Sequence, residues 1–199
     1  SASLVGSEMC IRDRCYISSE GSKETGLKKG IPIKYRAGDQ PNNAMALNIL
    51  NSGEVAATGG TSGVLYALTE SLESNESLRL NNFAHVNYTN KNKLIGKLLC
   101  INGAGIQYKW IKNITNAKNY SQMNLLASKV NIGSDGLLLY PFGNGSERMF
   151  NNNEIGSCFK NLNLNLHSNS HLYRATLEGI AFSFIYWMEI LIQDKFSPS

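Results

Sequence analysis

Several common chemistries are missing from this chain. None of its glycine clusters ends in Gly-Lys-Ser/Thr, so there is no Walker phosphate loop, and no Gly-x-Gly-x-x-Gly turn marks a dinucleotide site. The four cysteines, at 10, 15, 100 and 158, form neither a Cys-x-x-Cys pair nor a zinc pattern with His85, His167 and His171. Reduced, structural thiols are expected, with no metal ligand set. Together with the lack of an apolar core of signal-peptide length in residues 1–15, this points to the cytoplasm. The formal charge of +4 is spread without a Lys/Arg block, which argues against a nucleic-acid partner. No unbroken apolar run approaches the roughly 20 residues that cross a bilayer, so no membrane partner is expected. What remains is a globular composition, 42% hydrophobic and 17% charged over 199 residues. That length holds one domain with a substantial core, or one lobe of a larger enzyme.

Residues 1–15 carry no sustained apolar period. Within them Ser7-Glu8-Met9-Cys10-Ile11-Arg12-Asp13 is similar to the translation of a sequencing adapter. They are expected to be non-native and disordered, and are set aside from the fold.

The stretch from 31 to 63 carries the densest pattern. Ile31, Ile33 and Tyr35 alternate as a strand, which delivers Gly38-Asp39-Gln40 to a turn before an apolar helix over 42–50. Asp39 is either the N-cap of that helix or a carboxylate held at a ligand-facing strand end. Val55 to Thr58 then form a small-residue strand that enters Gly59-Gly60-Thr61-Ser62-Gly63, with Val64, Leu65 and Tyr66 as its hairpin partner. Such a turn exposes amides and two hydroxyls, donors that converge on phosphate oxygens, although glycine hairpins also occur for steric reasons alone.

Residues 69–80 read as a polar surface connection, followed by strands over 83–89 and 98–101. The second strand runs into Asn102-Gly103-Ala104-Gly105 and a helix carrying Ile106, Trp110 and Ile111 or Ile114. Free amides at that helix start would tolerate an anion; close strand-to-helix packing would call for the same small residues. Further on come a helix over 120–130, an apolar strand Leu137-Leu138-Leu139-Tyr140, the turn Pro141 to Arg148, and an edge strand and loop over 155–166. Ser168 or Ser170 caps a long helix from Leu172 to about Ile192, with Ala175, Ile180, Phe184, Trp187, Met188 and Leu191 as its core stripe.

In this order the motifs resemble the FGGY carbohydrate kinases across roughly residues 20–199. They are Ala37-Gly38-Asp39-Gln40, Thr58 to Gly63, Asn102 to Gly105 with Trp110, Leu137 to Phe142 with Gly145-Ser146-Glu147-Arg148, and His171 to Phe182. The resemblance implies an α/β fold of the actin/hexokinase-like ATPase type, built of ribonuclease-H-like lobes. This chain would hold an incomplete second lobe: 16–50 as the tail of the N-terminal lobe and 51–199 as part of the C-terminal lobe. It also implies transfer of the γ-phosphoryl group of ATP, with Mg2+, to a sugar hydroxyl, with xylulose the expected sugar. Other sugars or polyols, or a non-catalytic sugar-sensing module, are the alternatives. Asp39 would be the catalytic base and Gln40 a sugar contact. Gly60, Thr61, Ser62, Gly63, Gly103, Ala104 and Gly105 would surround the ATP phosphates. The missing N-terminal lobe, and in some relatives a second copy in a homodimer, would be the protein partners. The chain alone is expected to be inactive. Asn161, and the order Gly145-Ser146 before Glu147, depart from the usual family pattern.

Overall fold

The computed structural model describes residues 15–33 and 38–199. The adapter-like residues 1–14, together with Tyr35 and Ala37, lie outside the described residues. Cys15, grouped with the disordered start on sequence grounds, belongs to a strand, β1 (Cys15–Tyr16), which pairs with β2 (Pro32–Ile33) around helix α1 (Ser19–Thr25).

A four-stranded antiparallel sheet forms the centre. Its order is β3 (Val55–Gly59), β4 (Gly63–Thr69), β6 (Ile95–Ile101) and β5 (Asn81–Ala84). Every residue of β4 is buried, because both edges are paired and both faces are covered. On one face Ala44 of α2 (Asp39–Ala46) packs with Ala56, Tyr66, Leu68 and Leu94. On the other, Leu65, Ala67, Leu99 and Ile101 meet Trp187, Ile190 and Leu191 of α5 (Asn169–Gln193).

Helices α3 (Gly105–Ile114) and α4 (Tyr120–Ala127) pack through Tyr108, Ile111, Met123 and Ala127 against Tyr173 of α5. A separate hairpin, β7 (Leu138–Phe142) with β8 (Gly156–Lys160), leans on the same helix. The approach is backbone to backbone, since a Cβ on Gly179 of α5 would sit 2.3 Å from the Leu139 carbonyl oxygen.

The long helix starts at Asn169, three residues before the expected Leu172, with Ser168, one of the two cap candidates, as its N-cap. There the Ser168 amide donates to Nδ1 of His171 (3.1 Å), so a histidine fills the place of the usual glutamate in a capping box. By length and composition α5 also meets the criterion for a membrane span, with mean hydropathy 1.4, although Ser183 and Glu189 interrupt its apolar sequence. Trp187, Ile190 and Leu191 are buried against the sheet, whereas Phe182, Ile185 and Ile192 are exposed.

Several boundaries differ from expectation, three of them for a local reason. The helix placed at 42–50 begins at Asp39, with Gly38 as its N-cap, so Asp39 is a first-turn residue and not the cap. The strand placed at 83–89 stops at Ala84, because Nδ1 of His85 accepts the Asn87 amide (3.3 Å) and the Tyr88 amide donates to the His85 carbonyl (2.8 Å), which turns the chain. Strand β7 continues through Pro141, opposite Ser157, on a two-stranded sheet that tolerates proline.

Two polar devices fasten α5. Near its start, Glu178 accepts the Gly133 amide (2.9 Å), the Ser134 hydroxyl (3.0 Å) and Nε of Arg174 (2.6 Å). These bonds hold a turn in which Gly133, Ser134, Asp135 and Gly136 all have positive φ, a strained state for the two non-glycine residues. At its far end the buried Asp194 carboxylate pairs with Lys97 of β6, whose side chain is 1% exposed. It also accepts from the Ser74 hydroxyl and from the amides of Asn75 and Glu76.

Gly179→Ala should lower stability by about 1–3 kcal/mol despite the better helix propensity of alanine, because the new methyl must push α5 off β7; urea unfolding measures it. Asp194→Ala should cost more, about 3–5 kcal/mol, since it leaves the Lys97 charge buried without a partner. The double variant Lys97→Met with Asp194→Leu should recover most of that loss in the same experiment.

Candidate functional site

The site lies where β3 turns into β4 and β6 runs into α3. Gly59 and Gly63 pair at the end of the hairpin, and the Gly60 amide closes the turn on the Ser62 carbonyl (3.0 Å). Gly60 and Thr61 are exposed, Ser62 is half-buried and Gly63 is buried. Among the described residues neither the Thr61 nor the Ser62 hydroxyl has a hydrogen-bond partner, so both can take a ligand oxygen.

The two glycine turns meet. The Gly105 amide donates to the Gly60 carbonyl (2.9 Å) and the Ile106 amide to the Thr61 carbonyl (3.1 Å). The amide of Gly105, expected from the sequence to face an anion, is therefore already satisfied inside the protein. This corrects the idea that α3 offers a row of free donors. The contact requires glycine, since a Cβ on Gly105 would lie 2.4 Å from the Gly60 oxygen. Gly103 is more constrained still, with its would-be Cβ 1.4 Å from the Pro141 carbonyl oxygen. Gly103 and Ala104 are both buried, and their smallness serves packing.

Asp39 is exposed in the first turn of α2. Its Oδ1 accepts the Gln40 amide (2.9 Å) and its Oδ2 the Gln40 side-chain nitrogen (3.2 Å), which orients the carboxylate and leaves further lone pairs open. Cys100, at the end of β6, feels this carboxylate. Burial first, then the carboxylates of Glu147 and Asp39, push its thiol up to about 11. Asp39 is thus within electrostatic reach of the β6 end that leads into the Asn102 to Gly105 turn. Glu147, also exposed, has positive φ (44°), a strained backbone at the same place.

Beside the joined turns opens a hollow of about 380 Å³, lined by Gly103, Ile106, Gln107, Trp110, Asn144 and Cys158 among others. That volume suits a small-molecule ligand. Trp110, a core candidate by helical spacing, is 52% exposed and presents its indole at this wall. Gln107 escaped the sequence reading. It is only 6% exposed, yet among the described residues its side-chain amide has no hydrogen-bond partner. The available signal was a polar residue in the first turn of a helix that begins at a glycine turn. Among the described residues no group of three His, Cys, Asp or Glu side chains is gathered for a metal ion.

No family model matches the chain. Among curated proteins it is 28% identical over 179 residues to the gluconokinase of Bacillus subtilis, a match covering 84% of this chain and 34% of that protein. It is 27% identical to the probable L-xylulose kinase of Haemophilus influenzae, over 87% of this chain and 34% of that one. Its fold superimposes on the crystal structure of xylulose kinase from Rhodospirillum rubrum with a TM-score of 0.80 and 26% identity, covering 92% of this chain and 36% of the other. The chain therefore spans about a third of the length of the curated relatives it matches. The chain is thus similar in sequence to gluconate and xylulose kinases and shares the actin/hexokinase-like ATPase fold of these sugar kinases.

Proposed function

We propose that this chain supplies the acceptor base and the phosphate turn of an ATP-dependent sugar kinase. One observation supports the reading: the exposed Gly-Thr-Ser turn with free hydroxyls is joined to the start of α3 at the end of β6, and the exposed Asp39 carboxylate is within electrostatic reach of Cys100 on that strand. Phosphoryl transfer depends on positioning and on neutralising charge, and these are the groups it needs.

In this mechanism the nucleotide base and ribose lie in the hollow against Trp110, with the Gln107 amide as their polar partner. The phosphates extend along Thr61 and Ser62. Asp39, held by Gln40, takes the proton of the acceptor hydroxyl while that oxygen bonds to the γ-phosphorus. The bond from γ-phosphorus to the bridging oxygen breaks, and ADP leaves. Mg2+ bound to the nucleotide phosphates would supply charge neutralisation there, since no cluster of three His, Cys, Asp or Glu side chains among the described residues is gathered to hold it. Gln40 has a second role at the sugar, since its side chain is half-buried beside the base.

D-xylulose is the acceptor proposed first, supported by the fold match to a xylulose kinase. Gluconate is the second reading, supported by the gluconokinase relative. A panel of sugars and sugar acids tested with the full-length protein separates them: phosphorylation of neither would overturn both.

Asp39→Ala in the full-length protein should lower turnover by at least about 10²-fold, with unchanged circular dichroism, because a positioned base contributes about 10²–10⁴. Near-normal turnover would remove Asp39 from the role. Gln107→Ala should weaken nucleotide binding about fivefold, the loss of one hydrogen bond of about 1 kcal/mol, and leave sugar binding unaffected; calorimetry reads both.

A further inference from the structure

Two histidines hold the strained turn of Gly133 to Gly136 in addition to Glu178. Nε2 of His167 lies 3.3 Å from the Asp135 carbonyl oxygen, and Nε2 of His171 lies 3.1 Å from the Asp135 carboxylate. At the other side of each ring Nδ1 accepts a backbone amide, that of Asn163 for His167 (3.0 Å) and that of Ser168 for His171 (3.1 Å). We propose that this pair is an acid-sensitive latch: His167 must be neutral for the turn and the loop over 161–168 to stay closed on each other, and its protonation releases them.

An amide donor cannot bond to a protonated nitrogen. Both rings are therefore neutral in this arrangement, with the proton on Nε2, where it is donated to Asp135. Protonation affects the two rings differently. A proton added to Nδ1 of His171 can be donated to the Ser168 hydroxyl oxygen, 3.0 Å away, and the new charge faces the Asp135 carboxylate. His167 has neither outlet. Its Nδ1 faces the Asn163 amide, its Nε2 a neutral carbonyl, and its ring centre is 5.2 Å from that of His171. A charge on His167 loses the amide bond and stands beside the second imidazole.

The surrounding charges do not reverse this order. Arg174 of α5 is positive and bonded to Glu178. Burial raises the Glu178 pKa, but bonds from Gly133, Arg174 and Ser134 hold it below the ordinary carboxylate value, so it stays ionised where imidazole titrates. Lys160, at the end of β8, adds a further positive charge, and residues 161–166 are asparagine and leucine alone. The start of α5 itself disfavours a cation, because the helix dipole is positive there.

The latch holds the root of the β7–β8 hairpin. Gly136 leads into β7, and Asn161, which follows β8, donates its side-chain nitrogen to the Gly136 carbonyl (3.3 Å). Opening frees both strands at that end and lets Ser134 and Asp135, each at φ 48°, relax. A group that is neutral when closed and free to protonate when open stabilises the closed form above the imidazole range, near about pH 6.5, and ceases to do so below it. One such group raises the open population about tenfold between about pH 7.5 and 5.5.

Hydrogen exchange of the full-length protein, read by mass spectrometry and corrected for the intrinsic pH dependence of exchange, tests this. Peptides over 131–140 and 159–168 should exchange about tenfold faster at the lower pH, while buried β4 should not change. His167→Asn keeps an oxygen that can accept the Asn163 amide and cannot be protonated, so it should remove the acceleration. His171→Gln keeps a usual capping-box side chain and should leave the acceleration in place. In the unaltered protein, the midpoint of opening should coincide with the His167 titration followed by NMR, a check that needs no variant to fold. The proposal is overturned if these peptides show no pH response, or if His167→Asn responds as the unaltered protein does. It is also overturned if acid protects them, the result expected when the His171–Asp135 ion pair dominates.

Discussion

Two hydrogen bonds, from the amides of Gly105 and Ile106 to the carbonyls of Gly60 and Thr61, set the geometry on which the rest of the site depends. A helix start normally leaves several amides without partners. Here the first of them clamp a neighbouring turn. The turn therefore directs its carbonyls inward to the helix and leaves its hydroxyls outward. That orientation suits an anionic ligand, because carbonyl oxygens facing outward would repel phosphate. Glycine at 105 makes the clamp sterically possible, and glycine at 103 lets the β7–β8 hairpin approach close enough to form the opposite wall of the hollow.

The molecule has a second concavity, about 260 Å³, between β7 and α5. Its walls are Leu138, Leu139, Tyr140, Phe182 and similar side chains, with Glu178 and Ser183 as the polar exceptions. Glu178 already accepts three hydrogen bonds, and the Ser183 hydroxyl donates to the Ile180 carbonyl (2.6 Å). A phosphate there would find no free donor from either. Chemistry, not size, distinguishes the two hollows.

Much of the fold was legible because its signals are local. The hairpin at Gly59 to Gly63, the helix after Gly105 and the stripe of α5 each follow from short-range periodicity or turn chemistry. What was not legible depends on contacts distant in sequence. Asp39 looks like a cap by spacing, and only the backbone of Gly38 shows that the cap is one residue earlier. The amide of Gly105 looks free until Gly60 is brought against it from 45 positions away in the sequence. Gln107 looks like ordinary helix surface, and its burial arises from the hairpin that packs over it. The boundary of β5 failed because a histidine ring, which carries no turn propensity of its own, caps the strand.

The connection between β4 and β5 reads as a dispensable surface loop of serine and glutamate. The structure gives it a fixed centre, because Ser74, Asn75 and Glu76 converge on the carboxylate that neutralises a lysine beneath the sheet. Insertions should therefore be accepted on either flank of this segment but not within the triplet. A chain that lengthened the loop at its middle would have to replace the lysine as well, which couples loop length to core charge.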